Sequence, residues 1–595
     1  MPSLKSSLRS RTARDLREER DTLGFVRQPA VHWLSPALLA RSAVEVVVSG
    51  TFGKFADKRD MQQEQQGPFD YSGAGELWVD YLSDTGDGFD ATYTMAWLLA
   101  QEHLDFEGER LPRGKLLFLG GDEVYPLADP VAYEDRFIGP FAGALPQPPA
   151  DRPDMYALPG NHDWYDGLVS FLRVFCTRDG AIGGWATRQR RSYFAVKLPN
   201  DWWIWGIDIQ LDTYIDDTQL DYFRAQPVKP GDKVVLMTSI PSWTHALDAK
   251  VDPPTWRYLS FFEERIVRAS GARLCVALSG DTHHYARFEP ATAAEPTRLT
   301  AGGGGAYLSA THTLHSELRL RSLDHDAAAT VDYALQEVYP PADVSRRLSN
   351  GILKLGLLNQ QFALLLGAVY VVLGLTMLSA LKAIVGTVYV NATAAGFDGF
   401  LSAAIGSTTV LVVLVLFGGL YAGTDIVAPA LEQREGVVRA TKLARFAVAA
   451  LHTLGHLAIA AVVLWAAAKL VGDHTPVIWI TGLLALLVAG AALGSTLFGA
   501  VLLLVHRVRG KQARQAANQV FTGQSIPDYK NLLRMRFHAD GGLTIYPLGV
   551  ERACTAWRFA GDDGPTPRFT PSGAPPVAHA IDGPLRYDAT GTRVS

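Results

Sequence analysis

The sequence predicts a layered α/β domain followed by four membrane-crossing helices. Three observations carry that expectation. Between residues 71 and 320, short apolar runs ending in polar, glycine-rich turns alternate with helical stretches, as in stacked strands and helices. Between 355 and 505 lie four apolar runs, Phe362–Leu381, Phe400–Thr424, Phe446–Ala468 and Val477–Val505, with no Asp, Glu, Lys or Arg inside them. Each reaches the ~20 residues that cross a ~30 Å hydrocarbon core. From about residue 515, soluble character resumes.

The elements follow in chain order. Residues 1–22 mix basic and acidic side chains and read as a disordered tail. Residues 23–70 include "AVHWLSPALLARSAVEVVVSGTFGKFA", either an amphipathic helix touching the membrane or a helix packed on the soluble domain. Five strands are expected in "ELWVDYLSD", "KLLFLGGDE", "DMYALPGNHD", "KVVLMTSIPSW" and "RLCVALSGDTHH". "SYFAVKLPNDWWIWGIDIQ" reads as a hairpin around Pro199-Asn200-Asp201. The aromatic "DWWIW" is core-packing material by default. After the last apolar run, "YKNLLRMRFHADGGLTIYPLGV" has two strand-like runs joined at Ala539–Gly542, and the chain from Gly561 reads as a loose tail. The expected division is 1–70, tail and amphipathic helix; 71–345, soluble domain; 355–507, four transmembrane helices; and 515–595, a C-terminal segment with a small hairpin.

Charge and cysteine content exclude some classes. Net charge is −5 from 55 basic and 60 acidic residues, with no long basic stripe, so no nucleic-acid polymer is expected as a partner. Three scattered cysteines make no redox or zinc pair and fit a reducing compartment. Basic residues flank the apolar runs unevenly. Arg346, Arg347 and Lys354 precede the first; Arg434, Arg439, Lys442 and Arg445 sit between the second and third; Arg507, Arg509, Lys511 and Arg514 follow the fourth. By the positive-inside rule both termini and the soluble domain are cytoplasmic, on a multi-pass protein of the inner (plasma) membrane.

The chemistry-bearing residues stand where the strands end. Asp84 and Asp87 follow the first strand, and Asp122, in "GGDEVY", the second. Asn161, His162 and Asp163, in "PGNHDWYDG", follow the third, Ser239 the fourth, and Asp281, His283 and His284 the fifth. Loops at the carboxyl ends of parallel strands converge on one crevice, so residues 200 positions apart can form one site. A lone Gly-Asp after a strand is more often a turn; "GNHD" is stronger, because a turn needs no histidine between Asn and Asp.

This order, D…GD…GNHD…strand-x-P…G-x-x-H, resembles the calcineurin-like metallophosphoesterase family over about residues 75–315, and membrane-attached bacterial members with a start like "VDYLSDTGDGFDATY" are similar to it. "GIDIQL" (Gly206–Leu211) and "TAGGGGAY" (Thr300–Tyr307) also resemble family segments. The resemblance implies a four-layer αββα sandwich, two divalent metal ions, and hydrolysis of a phosphomonoester or phosphodiester by metal-bound hydroxide. It would give Asp84 and His283 to one metal, make Asp122 the bridge and put Asn161 on the second. His162 would stabilise the transition state or protonate the leaving oxygen, with Asp163 orienting its ring.

Three positions depart from the family pattern. Gly86 stands where D-x-H has its histidine, with Asp87 one residue later as a substitute ligand. Ser239 replaces the histidine of H-x-P. Asp281 replaces the first histidine of GHxH and can still ligate. With three imidazoles gone the donor set is oxygen-rich, which favours Mn²⁺ or Mg²⁺ over Zn²⁺ and leaves iron in the running. The alternative is a catalytically inactive membrane protein whose esterase-like domain binds a ligand or partner; a transporter or channel with a regulatory domain is a third. Tethering favours a lipid-linked ester without excluding soluble nucleotides. His284 receives no assigned role: it holds a metal, stands behind the ligands or faces solvent. His312 and His315 line the cleft rim or stay exposed, and Gly302–Gly305 serve either a phosphate or a turn. His452 and His456 lie one turn apart on one face of the third apolar run, where a hydrogen-bonded pair is favoured over a metal or haem pair.

Overall fold

The computed structural model describes residues 11–35, 67–209, 215–246, 254–323, 329–385, 435–471, 475–509, 514–561 and 564–594, with residues 8, 38 and 397. The chain divides into two compact units. One comprises Met1–Val31, Val44–Ala342 and Ile526–Ser595; the other comprises His32–Ala43 and Asp343–Ser525.

The first unit is built on two mixed sheets. Among the described residues one has ten strands, with β1 (Leu77–Leu82), β2 (Leu116–Leu119) and β3 (Asp154–Ala157) running parallel at its centre, and the other has nine. In it β4 (Phe194–Lys197) pairs antiparallel with β5 (Trp202–Ile207). Strands β5, β6 (Lys233–Thr238) and β7 (Arg273–Ser279) then run parallel to one another. It continues through β8 (Tyr285–Pro290), β9 (Thr297–Ala301), β10 (Glu317–Arg321) and β11 (Thr330–Tyr339), in the spatial order β7-β9-β8-β11-β10.

The central strands are apolar on both faces, as strands covered on both sides must be. In β5, Trp202 and Ile204 enter a cluster with Val79, Tyr81, Phe118, Met535 and Ile545 of the other sheet. Trp203, Trp205 and Ile207 point the opposite way, towards α3 (Asp217–Arg224) and α4 (Pro254–Phe262). The outer face of the ten-stranded sheet packs Leu117, Leu119 and Met155 on α2 (Phe89–Ala100) and on Phe137, Phe141 and Phe171. The period-two alternation of side chains thus separates three apolar clusters.

The chain returns from the second unit to complete the first sheet. β12 (Lys530–Phe537) pairs antiparallel with β1, and β13 (Leu543–Val550) with β12. Arg534 clasps Asp80 on β1 with two hydrogen bonds, 2.6 and 3.0 Å, both side chains buried. Such a fork is specific, because a partner missing from either side would leave a buried charge alone. Residues 530–550 therefore form no separate segment: their hairpin is part of the sheet that carries Asp84 and Asp122.

Two stretches read as loose are packed instead. Residues Ala13–Leu23 form α1, with Thr12 and Asp15 making a capping box and Gly24 closing it in the left-handed region. Glu19 of α1 is buried against Arg11 and Arg27, pairs that charge composition alone does not reveal. Beyond Gly561, Phe569 joins the cluster around α2, and Leu585 and Tyr587 join the cluster between the sheets. Scattered aromatic anchors in a Gly/Pro-rich stretch supply that order without a periodic signal.

The second unit is helical: α5 (Gln360–Val385), α6 (Glu435–Val471), α7 (Thr475–Ala489) and α8 (Ser495–Arg509), with one wider turn, Gly490–Gly494, joining the last two. Among the described residues three stretches are long and apolar enough to cross a membrane: Gln360–Leu378, Ala447–Leu470 and Trp479–Val508. They coincide with the first, third and fourth expected runs. The second, Phe400–Thr424, and most of the expected amphipathic helix lie outside the described residues. Leu451, Ile480 and Val488 are each more than 60 % exposed, an outward apolar face that suits lipid better than water. Inside, the Tyr370 hydroxyl meets His456 Nδ1 at 2.6 Å, and His456 Nε2 meets His452 Nε2 at 2.8 Å.

Candidate functional site

Three aspartates end three strands in the same unusual conformation. Asp84 follows β1, Asp122 follows β2 and Asp281 follows β7, with φ of 62°, 54° and 65°. The left-handed region costs a non-glycine residue energy, and such residues cluster where function over-determines the backbone. The turn lets each strand stop abruptly and throw its carboxylate across the strand ends.

The three meet. The Asp281 amide donates to both Asp84 oxygens, at 3.1 and 3.0 Å. His283 Nε2 is 3.7 Å from Asp84 Oδ1. Between them stands a residue that sequence reasoning missed. The Tyr125 hydroxyl lies 3.1 Å from Asp84 Oδ1, 3.1 Å from Asp122 Oδ2 and 3.0 Å from His283 Nε2. Its signal was three residues beyond Asp122 in "GGDEVY", where the tyrosine reads as ordinary core. Glycine makes room for the cluster: a Cβ on Gly302 would stand 2.7 Å from Asp84 Oδ2.

The GNHD turn is tied to the same point. Asn161–Trp164 is a single helical turn after β3, and the His162 amide donates to Asp122 Oδ1 at 2.9 Å. Asn161 Nδ2 donates to the Tyr165 hydroxyl at 3.3 Å. His162 Nδ1 lies 2.6 Å from the Pro126 carbonyl. A carbonyl only accepts, so Nδ1 carries the hydrogen and the lone pair is on Nε2. The orienting partner expected for this ring was Asp163, but that carboxylate accepts from Tyr133 (2.5 Å) and from the amides of Gly160 and Glu123 (2.8 and 3.3 Å). Asp163 thus shapes the turn, and a backbone carbonyl that no motif could announce sets the imidazole.

The remaining expected residues take other places. Asp87 is not aimed at the cluster: its Oδ1 accepts from the Val31 amide and its Oδ2 from the Tyr307 amide, at 2.8 and 3.0 Å. Ser239 is buried beside the site, its Cβ 2.8 Å from where a Cβ on Gly121 would stand, which with φ of 120° explains the glycine before Asp122. His284 is buried, and its carbonyl accepts from Gly302.

Electrostatically the site is a concentration of repelling acids. Burial, and then the charges of Asp122 and Asp281, raise Asp84 well above the carboxylate range. Burial and Asp163 raise Asp122. Burial and Asp122 push Asp281 to about 7. Burial and Asp163 also raise Glu123. Burial lowers His162, and burial with Lys530 lowers His283, so both rings are neutral at pH 7. Desolvated like charges are unfavourable until a cation offsets them. Among the described residues no three His, Cys, Asp or Glu side chains already close round a cation-sized point; the Tyr125 hydroxyl fills the middle. The donor set is nevertheless that of a hard cation: carboxylates, a phenol oxygen, an amide oxygen and one neutral imidazole.

No family model matches the chain, and no curated protein matches it. Among solved structures it is similar to purple acid phosphatase PPD1 from yellow lupin (Lupinus luteus) seeds, at 14 % identity over 39 % of this chain and 45 % of that one, TM-score 0.25. It is also similar to PhoD, at 12 % identity over 39 % of this chain and 58 % of that one, TM-score 0.26. The chain thus spans less than two thirds of either, and at such TM-scores neither likeness bears on the site.

Proposed function

We propose that this chain is a membrane-anchored, metal-dependent phosphoesterase acting on a phosphomonoester or phosphodiester. The observation that carries this reading is the convergence of Asp84, Asp122 and His283 on the Tyr125 hydroxyl, with Asp281 bonded to Asp84 through its amide. The three apolar clusters support a four-layer αββα sandwich in the first unit. Asp84, Asp122, Tyr125, Asp281, His283 and Asn161 would hold two divalent ions, Mn²⁺ or Mg²⁺ before Zn²⁺. Bound there, such ions supply Lewis-acid polarisation of the phosphoryl group and a nucleophile at neutral pH.

The chain's own residues do the rest. His162, neutral and hydrogen-bearing at Nδ1, offers an Nε2 lone pair, so it would accept a proton from the attacking water, and only after taking one up there could it pass a proton to the leaving oxygen. The Pro126 carbonyl keeps that tautomer. The glycine floor under Asp84 and the hydrogen bond from the His162 amide to the Asp122 carboxylate hold the donors at fixed separations. Asp87 and Asp163 position backbone. The three long apolar helices support a membrane anchor; the basic residues flanking the apolar runs favour an inner-membrane protein with both termini and the first unit cytoplasmic, and such an anchor favours a lipid-linked ester.

A Mn²⁺ titration with p-nitrophenyl phosphate and bis-p-nitrophenyl phosphate tests the proposal. Wild type should turn over at least one ester with saturable Mn²⁺ dependence, and Asp122→Asn should lose roughly 10³-fold in kcat/KM. Equal inactivity of the two on a broad ester panel would sink it. Ser239, a neutral hydroxyl where the family has a ligand histidine, favours the second reading, a ligand-binding domain without turnover. Tight Mn²⁺ binding with no hydrolysis would select that reading.

A further inference from the structure

We propose that Lys530, on the strand by which the chain returns from the apolar unit, is a positioning residue for the candidate site. It fixes the Gly302–Ser309 loop, and the loop fixes Asp84 and His283. Lys530 is the first residue of β12 and its side chain is fully buried. Its Nζ donates to the Ala306 carbonyl. Two more bonds join the same segments: Asn531 N to Gly303 O at 3.1 Å, and Leu308 N to Ile526 O at 3.0 Å.

The loop passes this hold to the site through backbone. Gly304 N donates to Ser83 O at 2.7 Å, Ala306 N to Asp84 O at 2.8 Å and Ser309 N to His283 O at 3.2 Å. Tyr307 N donates to Asp87 Oδ2 at 3.0 Å, and the Tyr307 ring stands edge-on to the His283 ring, centroids 4.5 Å apart. Ala306 therefore sits between the Lys530 ammonium on one side and the Asp84 backbone on the other. A buried ammonium is costly to desolvate, and an apolar side chain of that length would cost less. What the ammonium does there is hold a carbonyl in a glycine-rich loop that has few side chains to hold itself. The clamp rests on the phosphoesterase reading for what the site does, and not for how the loop is held.

The test uses the full chain in nanodiscs with Lys530→Met and Lys530→Arg. Three quantities are measured: amide hydrogen exchange over residues 302–309, Mn²⁺ affinity, and kcat and KM for bis-p-nitrophenyl phosphate. Lys530→Met should speed exchange at Gly304, Ala306 and Ser309 by about tenfold or more. It should weaken Mn²⁺ binding and lower kcat by about tenfold while KM moves less than about twofold. Lys530→Arg should recover the exchange protection and part of kcat. Unchanged exchange in Lys530→Met overturns the clamp whether or not the protein hydrolyses esters. Faster exchange with unchanged Mn²⁺ affinity and kcat overturns the positioning role. If wild type neither binds Mn²⁺ nor turns over, the phosphoesterase reading fails and exchange alone decides the clamp. Should Lys530→Met not fold, Tyr307→Leu probes the loop's other end: it should lower kcat about fivefold, and an unchanged kcat overturns the loop's hold on His283.

Discussion

Each unit buries polar side chains, and the two groups are arranged differently. Among the apolar helices, Tyr370, His456 and His452 form a chain of two hydrogen bonds, 2.6 and 2.8 Å long. Each ring nitrogen in those bonds faces a partner that can complement it. At the strand ends of the first unit, Asp84, Asp122 and Asp281 face one another, with Glu123 and Asp163 behind them, and burial, followed by the charge of a neighbouring carboxylate, raises the pKa of Asp84, Asp122, Glu123 and Asp281. The first group is satisfied by itself. The second is tolerable only when something else supplies positive charge. Burial of polar groups is thus no sign of a ligand; an uncompensated surplus of one charge is.

The sharpest way to break this comparison is to remove one surplus charge. Asp281→Asn should lower Mn²⁺-dependent turnover by roughly 10²-fold or more. The same change should raise the melting temperature of the metal-free protein by a few degrees at pH 7.5, since it relieves burial of a repelled carboxylate. Activity and stability moving in opposite directions is the signature of a site kept strained for function. A metal-free protein destabilised by Asp281→Asn would instead make the carboxylate a structural partner like His456.

A pH series refines the same point. The Asp281 carboxyl is raised from 3.8 to about 7 by burial and by Asp122. Between those values the folded state keeps a proton that the unfolded state has lost, so metal-free stability should fall as pH rises from about 4, and it should go on falling past 7 because Asp122, raised to about 8, and Asp84 hold their protons longer. Saturating Mn²⁺ should flatten that slope, because the ion replaces the proton. Melting curves from pH 5 to 8, with chelator and with Mn²⁺, read it directly; identical slopes would show that no cation enters the cluster.

Much of this was legible in the sequence, and the limits are physical. Asp84, Asp122 and Asp281 could be named because a strand ending in Gly-Asp or Ser-Asp has a local signature, and His283 because it follows in the same block. The left-handed conformation shared by the three aspartates was not legible, since Asp tolerates several turn geometries. Tyr125 was missed because a tyrosine in an apolar stretch is core until its hydroxyl is seen among carboxylates. Asp163 was misassigned because a carboxylate beside a histidine reads as its partner, whereas helical geometry turns Asp163 back onto the Gly160 amide. The place of β12 beside β1 was the least legible, because pairing over 450 positions leaves no periodic trace; only Arg534 opposite Asp80 shows why that register holds.

The smallest expected effect comes from the other side of the comparison. His456→Leu removes the middle of the Tyr370–His456–His452 chain and leaves one hydroxyl and one imidazole without that partner in an apolar bundle. Hydrogen bonds between membrane helices average only about 0.6 kcal/mol, with a maximum near 1.7, so the loss should be about 1 kcal/mol. The bundle should remain folded. Turnover of bis-p-nitrophenyl phosphate by the full chain should stay within about twofold of wild type, because no step assigned to the first unit uses these residues. A loss of turnover as large as that of Asp281→Asn, in a variant that still folds, would mean that the polar chain among the apolar helices does chemistry after all. The contrast between a self-satisfied group and a charge-surplus group would then no longer separate structure from function.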